Sequence, residues 1–176
     1  IKLSNTEIDV AVKVLRPEIE KIINQEMERL EWLTTFMENF TEFQRLRPNS
    51  IIKKAKEVIK FELDLRYEAA AASELSENTN MDESFYVPKV YWDKVTQKIL
   101  TMEKIIGVPA DKIDELNEKK VNKKQAAENL IINFLRQSIR DGYFHADLHQ
   151  GNLFLDPKGK LLAVDFGIMG RLDKKN

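Results

Sequence analysis

The sequence contains no cysteine, so neither a disulfide nor a thiolate metal site can form. It has no excess of one charge either. The 28 Lys and Arg against 29 Asp and Glu give a formal net charge of −1, which excludes a global basic face for nucleic acid and an acidic tail. No apolar run approaches the ~20 residues that a membrane helix needs. No basic stretch followed by an apolar one marks a signal peptide. The segment itself is therefore expected to be soluble, with any membrane contact left to parts outside it. Histidine is scarce, at two residues. What is present is 43% hydrophobic content in 176 residues, enough core for one domain or one and a half small lobes.

The hydrophobic period changes along the chain. Ile8 to Leu15 is rich in β-branched residues and stops at Arg16-Pro17, which predicts a strand. Ile1 to Leu3 reads as its hairpin partner, with Ser4 to Glu7 as the turn. Ile19, Ile22, Ile23, Met27, Leu30 and Leu33 then recur at steps of three and four, predicting an amphipathic helix from Glu18 to about Asn39. A second helical stretch starts after Arg47-Pro48-Asn49-Ser50, with Ser50 as a candidate cap, and bends or continues through Phe61 to Ala72. Val87 to Trp92 and Lys98 to Glu103 read as two strands around a turn at Asp93-Lys94. Gly107-Val108-Pro109 is a break. Gln125 to Arg140 is a helix closed by Gly142 in a left-handed cap. Leu153 to Leu155 and Leu161 to Val164 form a hairpin turning at Asp156 to Gly159.

Both histidines fall in one stretch, His145-Ala146-Asp147-Leu148-His149-Gln150-Gly151-Asn152, in a loop between a helix and a strand. Asp165-Phe166-Gly167 follows the second hairpin strand. The order His-x-Asp, Asn, hairpin, Asp-Phe-Gly is the protein-kinase arrangement. The hairpin would return Asp165 to Asn152, where an amide and a carboxylate oxygen can share Mg2+ bound to ATP. Asp147 would orient an attacking hydroxyl or water and take its proton. The alternative is a polar turn beside a buried strand. Upstream, Val10-Ala11-Val12-Lys13-Val14 resembles the kinase lysine strand, and Lys13 among apolar residues needs an anion, either an ATP phosphate or a helix glutamate. Read alone, it is the solvated face of a strand. Glu68 is the candidate helix partner. Asp64 and Glu68 share a helix face, where like charges repel, so a purely structural helix gains nothing from them. A solvated acidic face is the competing reading.

With these stretches together the chain resembles the UbiB/ADCK family of atypical protein-kinase-like proteins, linked to ubiquinone (coenzyme Q) biosynthesis. The match is carried by AVKVLRP (Ala11 to Pro17), FELDLRYEAAAA (Phe61 to Ala72), VPKVYWD (Val87 to Asp93), TMEKIIGVP (Thr101 to Pro109), LRQSIRDGYFHADLHQGNLF (Leu135 to Phe154) and VDFGIMGRL (Val164 to Leu172). The resemblance implies an α+β, two-lobe, protein-kinase-like fold, truncated, with a helical insertion after the lysine strand. Residues 1–106 would form the N-lobe without its first strand and phosphate loop, and 107–176 the start of the C-lobe. It implies that Lys13 pairs with Glu68 and touches phosphate, that Asp147 is the catalytic-loop aspartate, and that Asn152 and Asp165 hold Mg2+. Met102 would stand near the gatekeeper position, with the backbone from Glu103 to Ile105 meeting adenine. Glu62 and Asp64 match the family's Glu-x-Asp element. His145 would brace the loop, and His149 stands where ordinary protein kinases carry lysine.

The family's Lys-x-Gly-Gln extension and alanine-rich phosphate loop are absent from the sequence. It ends shortly after Asp-Phe-Gly, so apolar helix faces are expected to lie open. The implied activity is phosphotransfer or ATP hydrolysis with Mg-ATP. A lipid or quinone precursor and coenzyme Q pathway proteins are implied as partners, at the cytoplasmic face of the inner membrane. Three other readings compete. A small-molecule kinase of the aminoglycoside or choline kinase type shares the His-x-Asp loop, but the Glu-x-Asp stretch and the insertion favour UbiB. A zinc hydrolase would use His145 and His149, yet Gly142 and Gly151 argue against the helix that this spacing needs. A non-catalytic nucleotide-binding pseudokinase scaffold is the third, against which all four catalytic positions carry competent residues.

Overall fold

The computed structural model describes residues 2–3, 6–40 and 45–172. The chain opens with a hairpin of β1 (Lys2–Leu3) and β2 (Thr6–Glu7), in register Lys2↔Glu7. The sequence reading gave Thr6 and Glu7 to a turn and paired Ile1 to Leu3 with the next strand. Instead the nearest residues pair, and only two residues separate the strands in sequence, the shortest common hairpin connection. Ile1, Ser4 and Asn5 lie outside the described residues. Among the described residues the lysine strand, β3 (Val10–Val14), does not pair with that hairpin. It pairs antiparallel with β5 (Ile99–Glu103), so that Ala11 faces Met102 and Lys13 faces Leu100.

Between β3 and β5 the chain is largely helical. α1 (Ile19–Met37) packs on α2 (Pro48–Glu62). Polar groups set their register: Glu31 meets Lys56 at 2.6 Å, and Asn49 donates to Glu38. Helix α2 begins at Pro48, with Arg47 left-handed before it. Ser50, expected as the cap, is already helical, because proline at the first position has no N–H to leave unbonded. The expected continuous bend into the next helix is a break: Asp64 is extended and caps α3 (Leu65–Asn78) by accepting the N–H of Arg66 at 3.1 Å. α3 runs past Ala72 to Asn78 and buries Leu65, Ala69, Ala72 and Leu75 in the core.

The segment read as a strand from Val87 to Trp92 makes only part of a ladder. Tyr91 N–H bonds to Thr101 and Glu103 N–H to Lys89, but among the described residues this segment makes a single bridge, Val90↔Met102. Pro88 has no N–H to extend it. Instead Phe85–Tyr86 forms β4, paired in parallel with β9 (Leu161–Ala163). β9 pairs with β8 (Leu153–Leu155), and β8 with β6 (Val108–Pro109), giving the order β4-β9-β8-β6. The hairpin turn between β8 and β9 forms as read, with Gly159 at φ 84. Helix α4 (Ile113–Glu118), which the sequence reading did not expect, precedes α5 (Lys123–Leu135). α5 continues as a π-helical turn, Arg136–Asp141, and Gly142 closes it at φ 65, the left-handed cap the sequence called for. A last pair joins β7 (Tyr143–His145) to β10 (Met169–Arg171). Ile131, Phe134, Leu135 and Ile139 face outward on α5 and its π turn. Among the described residues no helix is long and apolar enough to cross a membrane.

Asp82, in the loop after α3, is buried and held by Arg136 and Arg140 at 3.2 and 2.8 Å. The Arg140 hydrogen bond and the charge of both guanidinium groups keep its carboxyl below the ordinary value. Such a group stabilises the fold above its unfolded pKa and loses that contribution as pH falls through the folded value. Asp82→Ala should lower the unfolding free energy in urea at neutral pH by about 2 kcal/mol, less than a fully buried pair would lose because both arginines reach water. The difference from the parent should shrink below about pH 4.

Candidate active site

The cap at Asp64 fixes where α3 starts, and Glu68 follows one turn later on the buried face, only 6% exposed. A carboxylate there needs a cation. Lys13 supplies it, reaching across from β3 to place Nζ 2.8 Å from both Glu68 oxygens. The same ammonium lies 3.2 Å from Asp165 Oδ1. Desolvation alone would lower the Lys13 pKa, but the two carboxylates outweigh it and hold it above the ordinary value. Burial pushes Glu68 up further than Lys13 draws it down. Asp165 is also partly desolvated, yet Lys13 and the N–H of Gly167 keep its carboxyl below the usual range.

The β8–β9 hairpin brings Asn152 and Asp165 together. Asn152 precedes β8, and its carbonyl accepts the N–H of Val164, the residue after β9. Asp165 then takes a left-handed conformation, φ 62. A non-glycine residue there costs about 1–3 kcal/mol and persists only where its surroundings fix it. Here Lys13 and Gly167 N–H hold the carboxylate, and Phe166, buried against the His145 ring, donates its N–H to Glu68. Asn152 donates through Nδ2 to the Asp147 carbonyl at 3.1 Å and to its carboxylate at 3.4 Å. No described residue bonds its Oδ1.

The loop itself is built on the two histidines. Asp147 N–H donates to His145 Nδ1 at 3.2 Å, so the neutral ring carries its proton on Nε2, facing Val164 O at 3.5 Å. Burial lowers the His145 pKa and favours that neutral form. His149 Nδ1 accepts the N–H of Gly151, and its Nε2 lies 3.7 Å from Asp147 Oδ2. Met102 is buried on β5. The Glu103 carboxylate turns away to accept from the Tyr86 hydroxyl at 2.6 Å and from Lys89 N–H. Burial and that carboxylate push the Tyr86 hydroxyl up to about 12. The N–H of Ile105 makes no hydrogen bond to any described residue. Glu62, Asp64 and Glu68 line a cavity of about 240 Å³ with Phe166 and Gly167. Arg66 occupies the Asp64 carboxylate at 2.6 Å.

The lysine strand, the glutamate helix and the two loops around a short hairpin have a counterpart in known proteins. The ABC1 atypical kinase-like domain matches residues 2–176. The chain belongs to this ABC1 family. Curated relatives include the probable protein kinase UbiB of Marinobacter nauticus, 39% identical over 168 residues, which cover 93% of this chain and 31% of the relative. The probable protein kinase UbiB of Xylella fastidiosa is 35% identical over 96% of this chain and 32% of its own length. The chain thus spans about a third of the length of these relatives. A solved complex of Rv3197 with erythromycin, from Mycobacterium tuberculosis, superposes with a TM-score of 0.73 at 24% identity, covering 92% of this chain and 40% of that one. The fold is therefore kinase-like, and the chain is an atypical kinase-like protein of the UbiB type.

In this ABC1 domain the zinc alternative finds no ligand set. His145 uses both ring nitrogens within the fold, and among the described residues no group of three or more His, Cys, Asp or Glu could hold a metal ion. One residue had no role in the sequence reading. Gln137, on the π turn, is 0% exposed; its Oε1 accepts the N–H of His145 at 3.3 Å, and its Nε2 has no partner among the described residues. A buried unbonded amide costs about 1–3 kcal/mol. The signal was present in the helical period: Gln137 stands four and eight residues after Asn133 and Asn129, which are buried on the same face.

Removing Lys13 strands Glu68. Because the folded pKa of Glu68 is raised, its favourable contribution is present below the unfolded pKa and is lost as pH rises through the folded one. Lys13→Met should raise that folded pKa further and cost about 3 kcal/mol in urea unfolding at neutral pH. At mildly acidic pH the loss should be smaller, because burial holds the Glu68 pKa up and favours its neutral form. An equal loss at both pH values would contradict the pairing.

Proposed function

We propose that this domain binds Mg-ATP and acts as an atypical kinase or ATPase of the UbiB type. The observation that carries the proposal is Lys13 held 2.8 Å from Glu68 and 3.2 Å from Asp165, a cation at the meeting point of strand, helix and loop. Its neighbours suit an oxygen-liganded divalent cation. Asn152 Oδ1 has no donor from the described residues, Asp165 is an ionised carboxylate, and Mg2+ is commonly bound by one or two carboxylates plus phosphate oxygens. Asn152 and Asp165 would hold the metal, and bound Mg-ATP would supply the transferable phosphoryl group.

The chain's own residues have distinct tasks in this reading. Lys13, oriented by Glu68, meets phosphate oxygens. Asp147, with its carbonyl and carboxylate both tied to Asn152, orients the attacking hydroxyl or water and takes its proton. Met102 and the backbone from Glu103 to Ile105 would receive adenine, and the free N–H of Ile105 is the donor such a ring needs. In this reading residues 1–106 and 107–176 act as the two lobes about that segment. On the resemblance of the sequence motifs alone, the proposed role extends to ubiquinone biosynthesis, with a lipid or quinone precursor and coenzyme Q pathway proteins as partners at the inner membrane.

Calorimetric titration of ATP with and without Mg2+, on the parent and on Asp165→Asn, tests the core of this reading. Binding should require Mg2+ and weaken by at least about tenfold in the variant, the equivalent of one lost charged ligand. A folded parent that ignores ATP, or a variant that binds as tightly, would overturn it.

A further inference from the structure

The β7–β10 ladder does not use the N–H of His145. Ala146 N–H bonds to Ile168 O at 3.1 Å and Leu172 N–H to Gly142 O at 2.9 Å, around the pairing Met169↔His145. Bonded and non-bonded pairs alternate in an antiparallel ladder, so the N–H of His145 points away from β10. His145 is buried, and this N–H needs an acceptor from elsewhere. Gln137 provides it through Oε1. Gln137 continues the buried row of Ala126, Asn129 and Asn133 at steps of three and four, which places it on the face turned to β7. Gln137 is fully buried, and its Nε2 stays unbonded among the described residues. A methionine would fill the same length of core without that orphaned donor. The polar contact Gln137 makes is with His145, and His145 in turn holds Asp147 N–H and faces Val164 O beside Asp165.

We infer that Gln137 is a positioning residue of the catalytic loop. By fixing the His145 main chain, it keeps the imidazole in the Nε2–H tautomer that ties Asp147 to the residue preceding Asp165. The inference rests on the reading of Asp147 and Asp165 as phosphoryl-transfer groups. A role confined to packing would be served equally well by an apolar side chain, which separates the two possibilities.

The test compares the parent with Gln137→Met by amide hydrogen exchange, by 15N shifts of the His145 ring and by Mg-ATP turnover. In the parent, the His145 amide should exchange as slowly as the β7–β10 ladder amides, and the ring should show the Nε2–H form alone. In Gln137→Met, melting should stay close to the parent. His145 amide exchange should accelerate, the ring should populate both tautomers, and kcat should fall by about tenfold with KM for ATP unchanged, as expected for a group acting on alignment rather than binding. Unchanged kcat and unchanged His145 exchange would overturn the inference. If Gln137→Met does not fold, the parent decides: a His145 amide that exchanges as fast as an exposed loop amide excludes the bond. A parent without turnover would sink the nucleotide reading. Lost His145 protection in Gln137→Met would then still support the link, and retained protection would refute it.

Discussion

A carboxylate buried on the inner face of a helix is unstable without a cation, and the placement of α3 against β3 follows from that requirement. Lys13 is the cation that meets Glu68, and it reaches Glu68 because β3 runs antiparallel to β5 with Lys13 opposite Leu100. The pair does more than join a strand to a helix. The same Glu68 oxygen that accepts from Lys13 accepts the N–H of Phe166, and the same ammonium reaches Asp165. One charged contact thereby locates three chain segments that lie far apart in sequence. It also sustains a left-handed aspartate that its own backbone preference would reject.

Legibility in the sequence followed the range of the interactions. The loop at Asp147, the turn at Asp156 to Gly159 and the cap at Gly142 were readable because each is written in adjacent residues with few conformational options. The partnership of Lys13 with Glu68 came from motif order, since no local rule links residues 55 positions apart. What escaped was non-local or displaced by a single residue. Nothing in Phe85-Tyr86 announces a parallel partner at Leu161-Leu162. Val87 to Trp92 has the composition of a strand, but Pro88 interrupts the donor row. Asn129, Asn133 and Gln137 form a polar row that turns inward, while the apolar residues beside it, Ile131, Phe134 and Leu135, which have the composition of a core face, lie outward.

Membership in the ABC1 family and the physical reading of the site support one another from independent directions. The family match is a statement about the whole chain, residues 2–176. The site geometry concerns a few atoms: an ammonium between two carboxylates, an amide oxygen without a donor among the described residues, and an aspartate tied to that amide. The segment between β3 and α3 fits both. Helices α1 and α2 hold each other through Glu31 with Lys56 and Asn49 with Glu38. An insertion stabilised by its own contacts can sit between the lysine strand and the glutamate helix without disturbing the register of either.

Helix α3 is fixed at several points along its length, and the sequence of those points explains why the site reads as one unit. Asp64 sets its first turn, Glu68 engages Lys13 one turn on, and Glu74 receives Arg171 at 2.7 and 2.9 Å. Arg171 belongs to β10, downstream of Asp165, and lies over the ring of Tyr143 in β7, upstream of Asp147. Beyond its C-terminus, Asp82 is bound by the arginines of the π turn that carries Gln137. A shift of α3 along its axis would therefore strain the contacts at Lys13, at the strand after Asp165 and at the turn behind His145 together. Packed interiors transmit such strain rather than absorb it. The position of a single helix thus couples Lys13, Asp165 and Asp147, although none of the three lies on it.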